Sequence, residues 1–185
     1  MPGVVVVNIL VVDLEATCSD DGSIPLEQAE IIEIGAVLVQ TDSLNDYNPF
    51  QSFVRPVRNT ILTPFCTKLT TITQEQIDES LIFEKTYPRF ADWLNRCGGA
   101  EVFASWGDWD WKQLHKECGE CRYEFPIKRN VSIPNAARKL LGFSNKFRLA
   151  RHFGIKWQGT LHRGIDDARN YASIVVKMLE IGWKP

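Results

Sequence analysis

The chain has little net charge, no long apolar run and no internal repeat. Its 21 Lys and Arg against 23 Asp and Glu leave a formal charge of −2, which excludes a uniformly basic nucleic-acid binder but leaves room for a local patch. No stretch approaches the roughly 20 apolar residues of a membrane-spanning helix, so no membrane partner is expected. The N-terminal apolar segment is short, lacks a basic leader and carries Asp13 where a signal peptide stays apolar. Five cysteines, an odd number, without an export signal fit free thiols in a reducing compartment, so a cytoplasmic location is expected. No Pro/Gly/Ser-rich linker divides the 185 residues, and 44% hydrophobic with 24% charged residues is an ordinary globular balance. Residues 1–185 are expected to form one domain.

What is present is a strand-rich first half and a helix-rich second half. "VVVVNILVVDLEA" is apolar at both alternating sets of positions, Val5, Val7, Ile9 and Val11 on one and Val4, Val6, Leu10 and Val12 on the other. A central strand covered on both faces reads this way. "EIIEIGAVLV" (Glu30 to Val39) and "FQSFVRP" (Phe50 to Pro56) predict two more strands, with a polar loop at Ser19 to Gln28. Phe83, Tyr87, Phe90, Leu94 and Cys97 then follow helical spacing and end at Gly98-Gly99. "EVFASW" predicts a fourth strand and Trp109 to Cys118 a helix. Pro126 to Val131 could hold a weak fifth strand. Ile133 to Gly142 and Gly164 to about Ile181 predict helices. The expected class is α/β, a mixed five-stranded sheet with helices on both faces.

Two carboxylates end the first strand. Asp13 and Glu15 are two residues apart and project from one face, with Val11 and Ile9. Like charges repel, and their removal from water costs several kcal/mol per ion unless compensated. Mg²⁺ or Mn²⁺ would compensate; the plainer alternative is a strand end that has reached solvent. Asp167 lies on the apolar stripe of the last helix with Tyr171, Ile174, Val175 and Met178, while Asp166 falls on its polar side. His162 precedes that helix on a loop and can accept a proton near neutral pH. In "SWGDWDW", Asp110 shares a helical face with Leu114 and Cys118 and points inward; Asp108 points outward or caps the helix. Four acids of this kind could hold two cations that clamp a phosphoryl group, leaving the histidine to deprotonate water. Cys118 and Cys121, with His115 ahead, resemble half a zinc site without a second pair, and buried free thiols are expected instead.

The motifs together resemble those of the DEDDh 3′→5′ exonucleases, whose sheet is RNase H-like. The family's Asp-x-Glu matches "DLE", its aromatic-Asp pair matches Trp109-Asp110, and its His-x4-Asp matches His162 to Asp167. "DLEATC", "EIIEIGAVLV", "LTPFCTKLTTIT", "SWGDWD" and "HRGIDDARN" resemble the Eri-like subgroup, which includes the histone-mRNA 3′-end exonuclease. One departure is Thr71, where the subgroup commonly has glycine. The resemblance implies hydrolysis at the 3′ end of single-stranded RNA, or of other nucleic acid with a free 3′ end, with release of nucleoside 5′-monophosphates. It implies that Asp13, Glu15, Asp110 and Asp167 hold two Mg²⁺ or Mn²⁺ ions and that His162 is the general base. Phe65, Leu69 and Trp109 would contact the terminal base, and the backbone of Leu14, Ala16 and Thr17 the sugar. Aromatic contacts of that kind are worth about 1–3 kcal/mol per base and tolerate any sequence. Lys128, Arg129, Arg138, Lys139, Lys146, Arg148, Arg151 and Arg163 form a basic tract suited to guiding the strand. The alternatives are a DNA-trimming or proofreading-like exonuclease and a non-catalytic module that binds nucleic-acid ends. No residue pattern names a protein partner.

Overall fold

The computed structural model describes residues 7–41 and 46–185. Val4, Val5 and Val6 of the apolar run lie outside the described residues. Strand β1 (Asn8–Ala16) is central in a five-stranded sheet. It pairs antiparallel with β2 (Ile31–Gln40), and β2 pairs antiparallel with β3 (Asp46–Phe53). On its other side β1 runs parallel to β4 (Val102–Ser105), which runs parallel to the edge strand β5 (Arg129–Ser132). The order β3-β2-β1-β4-β5 is the mixed sheet expected.

The alternation of β1 is resolved into two cores. Leu10, Val12 and Leu14 pack with Phe83, Tyr87, Phe90 and Leu94 of helix α3 (Phe83–Arg96) and Leu114 and Cys118 of α4 (Trp109–Glu120). Ile9 and Val11 face the opposite layer. That layer is built from α5 (Ile133–Leu141), α6 (Lys146–His152) and α7 (Gly164–Glu180), through Ile133, Ala137, Leu149, Tyr171, Ile174, Val175 and Met178. Burying each such side chain is worth about 1.5–3 kcal/mol, so a strand apolar on both sides is the best mount the chain has. The third strand lies earlier than the segment Phe50 to Pro56. Its ladder with β2 runs from Asp46 to Phe53; the Val54 amide still donates to Ile32 O of β2, and the chain then leaves the sheet, with the Arg55 amide donating to Leu81 O. Pro49 is tolerated because β3 is an edge strand with a register irregularity opposite Ala36 to Leu38.

Two short helices were not expected as helices: α1 (Pro64–Thr70) and α2 (Gln74–Asp78). Both carry local start signals. Thr63 caps α1 ahead of Pro64, and Thr73 with Gln76 forms a reciprocal capping box on α2. Cys66, Ile72 and Ile77 close a small third core with Ile32 and Leu62. The five cysteines are free. Cys118 is buried as expected, whereas Cys121, just past the end of α4, is half-buried against the same core. Among the described residues no helix is long and apolar enough to cross a membrane.

Candidate active site

Pairing between β1 and β4 stops at Val11 and Ala104. Beyond that point one edge of β1 has no strand neighbour, and Asp110, in the first turn of α4, takes its place. Its Oδ1 accepts from the Leu14 amide at 3.0 Å. Asp110 and Leu114 are buried, on the inward face expected of them, and a carboxylate in a first helical turn suits the helix dipole. Asp108 is the outward residue; its Oδ1 accepts from Asn130 Nδ2.

Asp13 and Glu15 project toward the α7 side. α7 is brought onto the sheet by two glycines in contact. A Cβ on Gly35 would overlap the backbone of Gly164 and Ile165, and one on Gly164 would come within 2.9 Å of the Asp13 carbonyl. The same end is braced by Glu33, which stands opposite Glu15 across the β1–β2 ladder. Glu33 is fully buried; its Oε2 accepts from Arg163 Nε at 3.1 Å and Gly164 N at 3.0 Å, and its Oε1 accepts from Gln51 Nε2. In the sequence Glu33 is marked only as a charged residue inside an otherwise apolar strand.

This brace carries Asp167 and His162 to β1. His162 donates its amide to Asp167 Oδ2 at 3.1 Å, from a left-handed backbone conformation with φ of 59°. Ligand atoms of Glu15, His162 and Asp167 all lie within 4.8 Å of one another. Asp13 feels the charges of Asp110, Glu15 and Asp167. The four acids and the histidine picked out in the sequence therefore converge.

Their electrostatics is that of a site short of positive charge. Burial first, then Asp110, Glu15 and Asp167, raises the Asp13 carboxyl well above its ordinary range. Burial, then Glu33, Asp167 and Asp110, pushes Glu15 up to about 8. Burial pushes Asp110 up to about 6 against the bond from Leu14. Burial raises Asp167 too, opposed by Lys146 and the His162 amide. Asp167 Oδ1 is buried with no hydrogen-bond partner. Buried polar atoms are nearly always satisfied, so an orphaned carboxylate oxygen among three more acids fits a hard divalent cation.

The residues expected around a terminal nucleotide divide in two. Phe65 and Leu69 lie on one side of α1, half-exposed and outside all three buried clusters, so they are not core residues. Phe65 lines a depression with Ser19, Asp20, Thr63 and Lys68. Trp109 is half-buried against the α3–α4 core. The β1 backbone is more committed than expected. The Leu14 amide is taken by Asp110, the Ala16 carbonyl accepts from the Cys66 thiol, and the Thr17 amide and hydroxyl both bond Glu30. Thr17 is buried and serves the fold. Two members of the basic tract turn inward, Arg163 to Glu33 and Lys146 to Asp167, while Lys128, Arg129, Arg138, Lys139, Arg148 and Arg151 are exposed.

Residues 10–175 match the RNase T family of exonucleases. Human 3′-5′ exoribonuclease 1 is 33% identical over 191 residues, taking in 94% of this chain and 53% of that protein. The 3′-5′ exonuclease Snipper of Drosophila melanogaster is 30% identical, over 94% of this chain and 70% of its own length. The chain thus spans about half the length of the human relative. The nuclease domain of 3′hExo, a DEDDh family member solved bound to rAMP, superposes with a TM-score of 0.86 at 30% identity, covering 97% of this chain and 95% of that one. With the acid set and His162 gathered on this sheet, the chain belongs to the DEDDh family of 3′→5′ exonucleases, a family that depends on divalent metal.

Proposed function

We propose that residues 1–185 form one exonuclease domain that hydrolyses phosphodiester bonds at the 3′ end of single-stranded RNA or 3′ overhangs, releasing nucleoside 5′-monophosphates. The observation that carries this reading is the convergence of three buried carboxylates, Glu15, Asp110 and Asp167, and the half-buried Asp13 beside His162, with one oxygen of Asp167 left unsatisfied. The likeness to human 3′-5′ exoribonuclease 1 and to a nuclease domain bound to rAMP supports RNA as the polymer. A further relative, 31% identical, was solved in 3′-end-specific recognition of the histone mRNA stem-loop. Free thiols support the cytoplasm as the compartment.

Asp13, Glu15, Asp110 and Asp167 would hold two Mg²⁺ or Mn²⁺ ions. When bound, the ions supply Lewis-acid activation and offset charge on the attacking and leaving oxygens. The rest falls to the chain. His162 is exposed at the mouth of the site, where its ring takes the proton of the attacking water. Asp167 orients His162 by accepting its amide. Phe65, Leu69 and Trp109 hold the terminal base, and the β1 end around Leu14 and Ala16 borders its sugar.

The test is release of mononucleotides from matched RNA and DNA oligomers, single-stranded and with 3′ overhangs. Asp13→Asn and Asp167→Asn should reduce release to background. His162→Ala should lower kcat by about 10²–10⁴-fold and leave oligomer affinity nearly unchanged. Intact 3′-labelled RNA and DNA in the presence of Mn²⁺ would rule the enzyme out. Trimming of DNA alone would move the assignment to the DNA exonuclease alternative.

A further inference from the structure

Lys146 is not placed like a substrate-guiding surface lysine. It opens α6, whose N-terminus is capped by Asn145 through the Arg148 amide. Its Nζ lies 3.7 Å from Asp167 Oδ2 and donates to the Tyr171 hydroxyl at 3.2 Å. The ammonium lies 5.7 Å from the ring centroid of Phe147, 5.3 Å from Trp157 and 5.6 Å from Tyr171. Its side chain is only 19% exposed. Within the basic tract, Arg163 also turns inward, but its partner is Glu33 and it leaves the acid set alone.

We propose that Lys146 is the resident counterion of the acid site, an ammonium that neutralises Asp167 in the metal-free chain and competes with a divalent cation for it. This rests on reading the acid set as a metal site. A cluster of four carboxylates folds at a cost in repulsion and desolvation before any metal arrives. One ammonium, held by three rings and a hydroxyl, offsets part of that cost. Its field also reaches Asp13. It cannot complete the job, since Asp167 Oδ1 stays without a partner. A 2+ ion entering the cluster must therefore overcome an adjacent positive charge, and Lys146 sets how tightly metal is held.

Lys146→Met keeps the stem and removes the charge; Lys146→Arg keeps the charge. With chelator present, the Met variant of the full chain should melt about 2–4 °C lower than the parent, and the Arg variant should not. In calorimetry with Mn²⁺ alone, the Met variant should bind about tenfold more tightly, equivalent to 1.4 kcal/mol. The affinity is decisive. Equal or weaker Mn²⁺ binding by Lys146→Met overturns the proposal, whatever its melting point, and leaves Lys146 a purely structural or metal-assisting role. A parent chain that binds Mn²⁺ yet degrades no oligomer would sink the exonuclease reading while leaving the counterion standing.

Discussion

Thr71 and His162 share a backbone conformation that suits neither residue type. Their φ angles are 61° and 59°, in the left-handed region. Thr71 closes α1 as its C-cap, donating its amide to Thr67 O, and its side chain is exposed. A β-branched residue in that conformation costs about 1–2 kcal/mol in local sterics. Glycine gives back part of that through greater freedom of the unfolded chain. Thr71→Gly should therefore raise the unfolding free energy by about 0.5–1 kcal/mol in urea titration, with nuclease activity unchanged. His162→Gly relieves the same strain and keeps the amide that bonds Asp167, so it too should gain stability, but with catalysis lost. Loss of stability in both variants would show that the left-handed backbone is not strained. The contrast separates strain tolerated at a helix end from strain held in place at a site.

At the scale of elements, the site depends on how closely α7 approaches β2. Gly35 and Gly164 meet with no room for a side chain. Gly35→Ala should push the start of α7 off the sheet, at an overpacking cost of about 1–3 kcal/mol. The same shift moves Asp167 and His162 away from Glu15, and a misplacement of about 1 Å can cost about 10²-fold in rate. The expected result is a folded variant with activity reduced far more than its urea midpoint; full activity would remove the glycine contact from the design of the site. The two-sided burial of β1 and the helical stripes of α3 and α7 could be read in advance because each repeats a period over many residues. α1 and α2 could not, at seven and five residues, although Thr63-Pro64 and the Thr73–Gln76 box marked their starts. Asp13, Glu15, Asp110, Asp167 and His162 were found because each broke a local pattern. Glu33 and Lys146 gain their meaning only from the register of β1 on β2 and the packing of α6 on α7. Both are long-range facts that no local spacing encodes.

For the whole molecule, a formal charge of −2 conceals a dense negative centre. Burial, then repulsion from Glu33, Asp167 and Asp110, raises Glu15 from 4.5 to about 8, and burial raises Asp110 from 3.8 to about 6. A carboxyl whose folded pKa is raised binds more protons in the folded than in the unfolded chain over that interval. Its contribution is therefore greatest at low pH and is lost as pH rises through the folded value. In chelator, the melting temperature should fall from about pH 5 to about pH 8, the window set by Glu15 and Asp110. Mn²⁺ or Mg²⁺ binds only the ionised acids, so saturating metal should abolish or invert that slope. Glu15→Gln removes the carboxyl pushed up to about 8 and should flatten the chelated profile without metal. Thermal melts across pH, with and without metal, check both limbs. A slope that is the same with metal, with chelator and in Glu15→Gln would mean that the acid cluster does not govern the stability of this fold.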